Sequence, residues 1–131
     1  MPSSPHVLLV DDHAEVRAVV AYVLARLCPN ATIAQASNGA EALSAVRQQR
    51  PDLISTDYQM PIMGGLELVR TLRAQSTSLP LLALSSDPSA GQAILTAGAT
   101  AFLPKPFPLG ELRDLLRTLL PTDEETQAVG E

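Results

Sequence analysis

The sequence predicts an α/β fold in which five βα units wind into one parallel sheet with helices on both faces. Three observations carry this reading. Short apolar runs recur along the chain, hydrophobic on both faces, as strands buried in a parallel sheet must be. Longer amphipathic stretches separate them. Polar side chains fall at the ends of four of these runs, and in doubly wound sheets ligands sit outside the carboxyl ends of the strands, near the switch in strand order.

Val7–Val10 is the first strand. After it, Val16, Val19, Val20, Val23, Leu24 and Leu27 recur at three- and four-residue steps and mark one helix face. Thr32–Ala36 is a fainter strand. Ser37 or Asn38 suits the cap of the second helix, and Pro51 closes it. Leu53–Thr56 and Leu81–Leu84 are the third and fourth strands. Asp87-Pro88 reads as an N-cap followed by proline at the first helical position, where its missing N–H is harmless. Gly98 suits a left-handed C-cap, and Ala90, Ala93 and Ala97 give the fourth helix shallow packing. Ala101–Leu103 is the fifth strand; Pro104 is tolerable there if the strand lies at the sheet edge. Leu109, Leu112, Leu115, Leu116 and Leu119 line the last helix, which Pro121 stops. Residues 6–120 read as one domain and 121–131 as a polar, disordered tail.

Composition narrows the function classes. A chain of 131 residues is most economically one domain, able to bury a core without disulfides or a structural metal. It is 46% hydrophobic and 18% charged, which fits a compact protein; with 3% aromatics, aliphatic side chains must fill the core. Nine basic against fourteen acidic residues give a net charge of −5. That balance offers no footprint for nucleic acid and no attraction to an anionic membrane. The single cysteine, Cys28, excludes an internal disulfide, and neither a signal peptide nor a membrane-length apolar run is visible. The expected location is cytoplasmic.

The chemistry lies at the strand ends. Asp11 and Asp12 follow the first strand, Asp57 the third, Ser85 the fourth and Lys105 the fifth. Three carboxylates gathered at one edge repel each other unless a cation neutralises them. Mg²⁺ suits them, because it takes hard oxygen ligands and retains waters that a phosphoryl oxygen can replace. A carboxylate can also act as a nucleophile and hold an acyl phosphate. Lys105 and the Ser85 hydroxyl suit the phosphoryl oxygens, and such a site works by positioning and by neutralising charge.

With these residues in order, the chain resembles the receiver domains of bacterial two-component response regulators. Val7-Leu8-Leu9-Val10-Asp11-Asp12 is similar to the family's first strand and acidic pair, and Asp57-Tyr58-Gln59-Met60-Pro61-Ile62-Met63-Gly64-Gly65 to its acceptor motif. Leu84-Ser85-Ser86 and Phe102-Leu103-Pro104-Lys105-Pro106-Phe107 match the ends of the fourth and fifth strands. The resemblance runs from about Val7 to Leu120. It implies a flavodoxin-like (βα)5 sandwich with strand order 2-1-3-4-5.

The resemblance also implies roles. Asp12, Asp57 and the Gln59 backbone carbonyl would bind Mg²⁺, with Asp11 acting directly or through water. Asp57 would accept a phosphoryl group from a histidine kinase or a histidine phosphotransfer protein, and Ser85 and Lys105 would hold it. Gln59 and Asp87 would tune its loss. Ser85 and Phe102 would carry a switch to the face of fourth helix, fifth strand and fifth helix, where an output domain, a partner protein or a second copy in a homodimer would bind. A cis bond would join Lys105 to Pro106. The protein would be a regulatory phosphoacceptor, with no external substrate to turn over. Serine and phenylalanine at 85 and 102 replace the commoner threonine and tyrosine; Ser86, Thr56 and Gly64 also depart from the usual pattern, and none removes a group the chemistry needs.

Two other classes are weaker. A receiver-like module independent of phosphorylation would have lost the acceptor, the acidic pair or the lysine, and all are present. A haloacid-dehalogenase type of phosphohydrolase would place a second aspartate two residues after the nucleophile, where Gln59 stands. His13 reads as a solvated loop residue, since no second histidine or cysteine sits at ligand spacing, and Cys28 as an apolar filler. No output domain fits after Pro121, so the chain is expected to be a stand-alone receiver or one cut from a longer protein.

Overall fold

The computed structural model describes residues 4–75 and 78–121. Ten elements alternate along it: β1 (His6–Val10), α1 (Ala14–Leu27), β2 (Thr32–Ala36), α2 (Gly39–Gln48), β3 (Leu53–Asp57), α3 (Gly65–Ala74), β4 (Leu81–Ser85), α4 (Ala90–Ala97), β5 (Ala101–Pro104) and α5 (Leu109–Leu119). The five strands form one sheet in the order β2-β1-β3-β4-β5, and every pairing is parallel, as the resemblance implies. Pro104 therefore lies on an edge strand, where its missing N–H breaks no inner ladder. No helix among the described residues is long and apolar enough to cross a membrane.

The two-sided hydrophobicity of the strands follows from two separate cores. Leu8, Val10, Ile54, Leu81 and Ala83 face one side and pack with Leu43, Leu68, Leu72 and Ile94 of α2, α3 and α4. Their neighbours Val7, Leu9, Leu53, Leu82 and Leu84 face the other side and meet Val20, Leu24, Leu112 and Leu116 of α1 and α5. Alternate residues of each strand thus serve opposite layers, so a strand with one polar face could not fill the central positions.

The helix limits follow local chemistry. The Asn38 carboxamide accepts from Glu41 N at 2.9 Å, and the Glu41 carboxylate reaches back to Ser37 N and Oγ, each at 2.9 Å. Gly98, with φ 123°, ends α4, a backbone conformation in which a side chain would be strained. Helix α5 stops at Leu119, ahead of Pro121.

Several limits differ from the sequence expectation. Strands β3, β4 and β5 each run one residue further, so Asp57 and Ser85 are the last residues of their strands. Helix α4 begins at Ala90 rather than Pro88, because the turn before it closes with bonds three residues apart, Ala90 N donating to Asp87 O at 3.0 Å and Gly91 N to Pro88 O at 3.4 Å. The Asp87 carboxylate still accepts from Ser89 N (3.0 Å) and Ser89 Oγ (2.7 Å), and the first of these is the bond that a cap makes to the second residue after it. Val19 and Leu109, placed on core faces by periodicity, are 39% and 51% exposed. The buried stripe of α1 is narrower than its apolar one, holding Val20, Val23 and Leu24. The tail expected at 121–131 lies outside the described residues from 122 onwards.

Candidate functional site

The polar strand ends meet at the C-terminal edge of β1, β3 and β5. Asp11 follows β1 directly and its N–H donates to Ala36 O at 3.1 Å, which prolongs the ladder by one bond. Its two carboxylate oxygens are divided: Oδ2 faces Lys105 Nζ at 3.2 Å, and Oδ1 accepts from His13 N at 2.9 Å. Arg17 of α1 donates to the Asp11 carbonyl and, through Nε, to Gln35 Oε1 at 2.7 Å. This arginine ties the acidic turn to α1 and β2. Asp12 is turned outwards and its side chain is 30% exposed.

Asp57 closes β3 between β1 and β4, and only 6% of it is exposed. Its Oδ1 lies 3.1 Å from Lys105 Nζ, so one ammonium spans two buried carboxylates. Lys105 is held by its own N–H, which donates to Ser85 O at 2.7 Å. The Lys105–Pro106 bond is cis, as the resemblance implies. Burial, and after it the negative charge of Asp11, push the Asp57 carboxyl above the usual carboxylate range; the hydrogen bond and charge of Lys105 pull the other way without cancelling them. Burial alone would lower the Lys105 ammonium, but its bond to Asp57 and the charges of both aspartates hold it above its ordinary value.

The loop after Asp57 depends on glycine. A Cβ on Gly65 would collide with the Asp57 carbonyl, while Gly65 N donates to Tyr58 O at 2.9 Å. Thr56 is fully buried, and its hydroxyl donates to the Asp57 carbonyl at 3.0 Å.

The structure therefore brings Asp11, Asp12, Asp57 and Lys105 together. One ligand atom from each aspartate, and one from His13, lie within 4.8 Å of one another. Hard carboxylate oxygens, with one ammonium facing Asp11 and Asp57, fit a small divalent cation that prefers oxygen. The other candidate residues stand around this group. Ser85 is buried on the adjoining strand end, with Oγ accepting from Asp87 N at 3.0 Å. Gln59 is exposed, and the Asp87 carboxylate is occupied by Ser89. Phe102 lies half-buried against α4, where a Cβ on Gly91 would stand 2.8 Å from its ring. Two further neighbours of the site are His13, which the sequence reads as a solvated loop residue, and Arg17, which no sequence pattern singles out. His13 adjoins the acidic pair in the chain, a signal that was readable. Arg17 reaches Asp11 through the packing of α1 beside β1, which no local pattern records.

Comparison with known proteins agrees with this geometry. The family described as "Response regulator receiver domain" matches residues 7–117. The chain is 39% identical over 119 residues to "Response regulator MprA" of Mycobacterium ulcerans, covering 89% of this chain and 50% of that protein. It is 40% identical over 120 residues to "Transcriptional regulatory protein PrrA" of Mycobacterium tuberculosis, covering 90% and 51%. The chain thus spans about half the length of the curated relatives it matches. Among solved structures, chemotaxis response regulator CheY4 of Vibrio cholerae superposes with a TM-score of 0.79 at 34% identity, covering 89% of this chain and 99% of that one. The receiver domain of NtrX from Brucella abortus does so at 0.79 and 26% identity, covering 89% and 99%.

Proposed function

The chain belongs to the response regulator receiver domain family, and from that premise we propose that it is a cytoplasmic phosphorylation switch whose acceptor is Asp57. The observation that carries the proposal is the buried Asp57 carboxylate in contact with Lys105 Nζ at 3.1 Å, at a strand end shared with Asp11 and Asp12. In this reading Asp12, Asp57 and the Gln59 carbonyl hold Mg²⁺, with Asp11 acting directly or through water. The ion supplies positive charge where phosphoryl charge develops.

A phosphohistidine of a histidine kinase or phosphotransfer protein is the donor. An ionised Asp57 oxygen forms the new bond to phosphorus as the bond to the histidine nitrogen breaks, and the nitrogen keeps that electron pair. Lys105 exchanges its aspartate contact for a phosphoryl oxygen, and Ser85 Oγ donates to another while still accepting from Asp87 N. Gln59, exposed at the mouth, and Asp87 set how readily water reaches the acyl phosphate. The domain turns over no external substrate. Once Ser85 moves, Phe102 follows, and the surface of α4, β5 and α5 takes a shape with different affinity for an output domain, a partner protein or a second copy. Without that difference in affinity, movement alone would transmit nothing. Residues 6–120 carry ten acidic against nine basic residues, which leaves no basic excess for direct binding of nucleic acid.

Incubation with acetyl phosphate and Mg²⁺ should add one phosphate by intact mass, and neither EDTA-treated protein nor the Asp57→Asn variant should be labelled. Full labelling of that variant would overturn the assignment. Amide exchange with beryllofluoride should change along residues 87–116; changes confined to α1 and α2 would remove the proposed output face.

A further inference from the structure

His13 has no role in the reading above, yet its imidazole stands against the acidic pair. Nδ1 lies 3.4 Å from Asp11 Oδ1 and 3.3 Å from Asp12 Oδ1, while the side chain is 60% exposed. The ring does no work for the helix it precedes: His13 occupies the N-cap of α1 but makes no side-chain cap hydrogen bond. Its backbone alone serves there, with His13 O accepting from Val16 N and Arg17 N. The ring is therefore free to act as a ligand without loosening α1.

The spacing is what a shared ion requires. Ligand atoms about 2.1 Å from one metal stand roughly 3.0 Å apart at a right angle and roughly 3.4 Å apart at the tetrahedral angle. The distances from His13 Nδ1 to the two carboxylates fall in that interval. Asp11 can serve both sides of the site, since its Oδ1 faces His13 and its Oδ2 faces Lys105. The donor set then changes character across the site. Towards Asp57 it consists of hard oxygens, which suit Mg²⁺. Towards His13 it gains an imidazole, which Mg²⁺ has little use for but Co²⁺, Ni²⁺ and Zn²⁺ favour.

We propose that His13 completes a binding site for a first-row transition ion, held by His13 Nδ1, Asp11 and Asp12 at the rim of the carboxylate edge. The inference rests on the reading that these carboxylates hold a divalent cation at all. Because a transition ion and Mg²⁺ would share Asp11 and Asp12, each excludes the other, and the ratio of the two ions governs how much of the protein can take up a phosphoryl group.

The test uses the full chain and three ions. Calorimetry gives the Mg²⁺ affinity, visible d–d absorption follows Co²⁺, and the imidazole ¹⁵N shifts report on Zn²⁺. In the unmodified protein Zn²⁺ should shift His13 Nδ1 selectively over Nε2, and added Mg²⁺ should displace Co²⁺. The His13→Ala variant should bind Co²⁺ at least tenfold more weakly while its Mg²⁺ affinity changes less than twofold. Asp12→Asn should weaken both ions. Equal Co²⁺ affinity in the unmodified protein and His13→Ala, with Mg²⁺ still bound, would overturn the imidazole assignment alone. An equal loss of both ions in His13→Ala would also overturn it, by showing a purely structural effect. Co²⁺ retained in full by Asp12→Asn would place the ion elsewhere and overturn it too. Failure of the unmodified protein to bind either ion would remove the carboxylate-cation reading itself.

Discussion

Replacing the proposed acceptor should make the ion-free protein more stable. Asp57 has carboxylate oxygens of Asp11 and Asp12 within 4.8 Å, and at an effective dielectric constant of about 20 each such charge costs it roughly 3.5 kcal/mol. Lys105 Nζ at 3.1 Å returns roughly 5 kcal/mol on the same scale. Solvent around the partly exposed Asp12 softens its share, while burial of Asp57 adds a cost of the same sign. Asp57→Asn removes this unfavourable balance without stranding Lys105, which keeps Asp11 at 3.2 Å. The expected gain is about 1 kcal/mol. Urea unfolding at pH 7 in EDTA, followed by circular dichroism, should show a higher midpoint for Asp57→Asn with an unchanged slope. Mg²⁺ should reverse the order. At a hundredfold excess over its Kd a ligand adds about 2.7 kcal/mol to the form that binds it, and the variant lacks a ligand. A variant less stable than the unmodified protein in EDTA would refute the electrostatic account of the site.

Other outcomes follow from the same coordinates. Asp57 is held above its ordinary carboxylate value, so the folded chain binds that proton more tightly than the unfolded one. The stability gained by protonation is complete below the unfolded pKa and lost as pH rises through the folded one. The advantage of Asp57→Asn should therefore shrink as the pH of ion-free samples is lowered from 7 to 4, and a constant gap in urea midpoints would contradict this. Asn38→Ala removes the side chain that caps α2 and should cost about 1 kcal/mol in the same assay, with no effect on labelling by acetyl phosphate. Gly65→Ala forces a methyl against the Asp57 carbonyl, and both the destabilisation, roughly 1–3 kcal/mol, and slower labelling should appear together. Gly91→Ala pushes the Phe102 ring aside; amide protection should fall in α4 and β5 while Mg²⁺ affinity stays unchanged.

Much of the fold was legible because a parallel sheet with helices on both faces leaves central strands no polar side. Leu53–Thr56 and Leu81–Leu84 therefore stand out as apolar runs, and the structure buries all five residues of β3 and of β4. Strand order is not in the periodicity; it came with the motifs at the strand ends. The helix faces were legible only in part. Periodicity reports how much of a helix is apolar, whereas burial depends on how much of it the sheet and its neighbours cover, which is why Val19 and Leu109 emerge exposed. The start of α4 differs by two residues for another reason. Asp87 makes the capping contact with Ser89 N that Asp-Pro announces, but the first turn closes with bonds three residues apart, which residue identity does not record.

The site was legible for the reason that makes it costly. Asp11, Asp57 and Ser85 are buried polar groups at the edge of an apolar sheet, and a sequence selected for stability alone would place aliphatic residues at such positions. Each breaks the pattern of the strand it ends, so each stands out in the sequence. The convergence of three strand ends then follows from the parallel topology, without any residue between them having to be identified. His13 and Arg17 break no pattern. An exposed histidine before a helix and an arginine within its first two turns are ordinary local choices; His13 meets Asp11 through its nearness in the chain, whereas Arg17 needs the placement of α1 beside β1. Groups that must be buried against their chemistry can be found from the chain, whereas groups that reach a site from the surface need the fold.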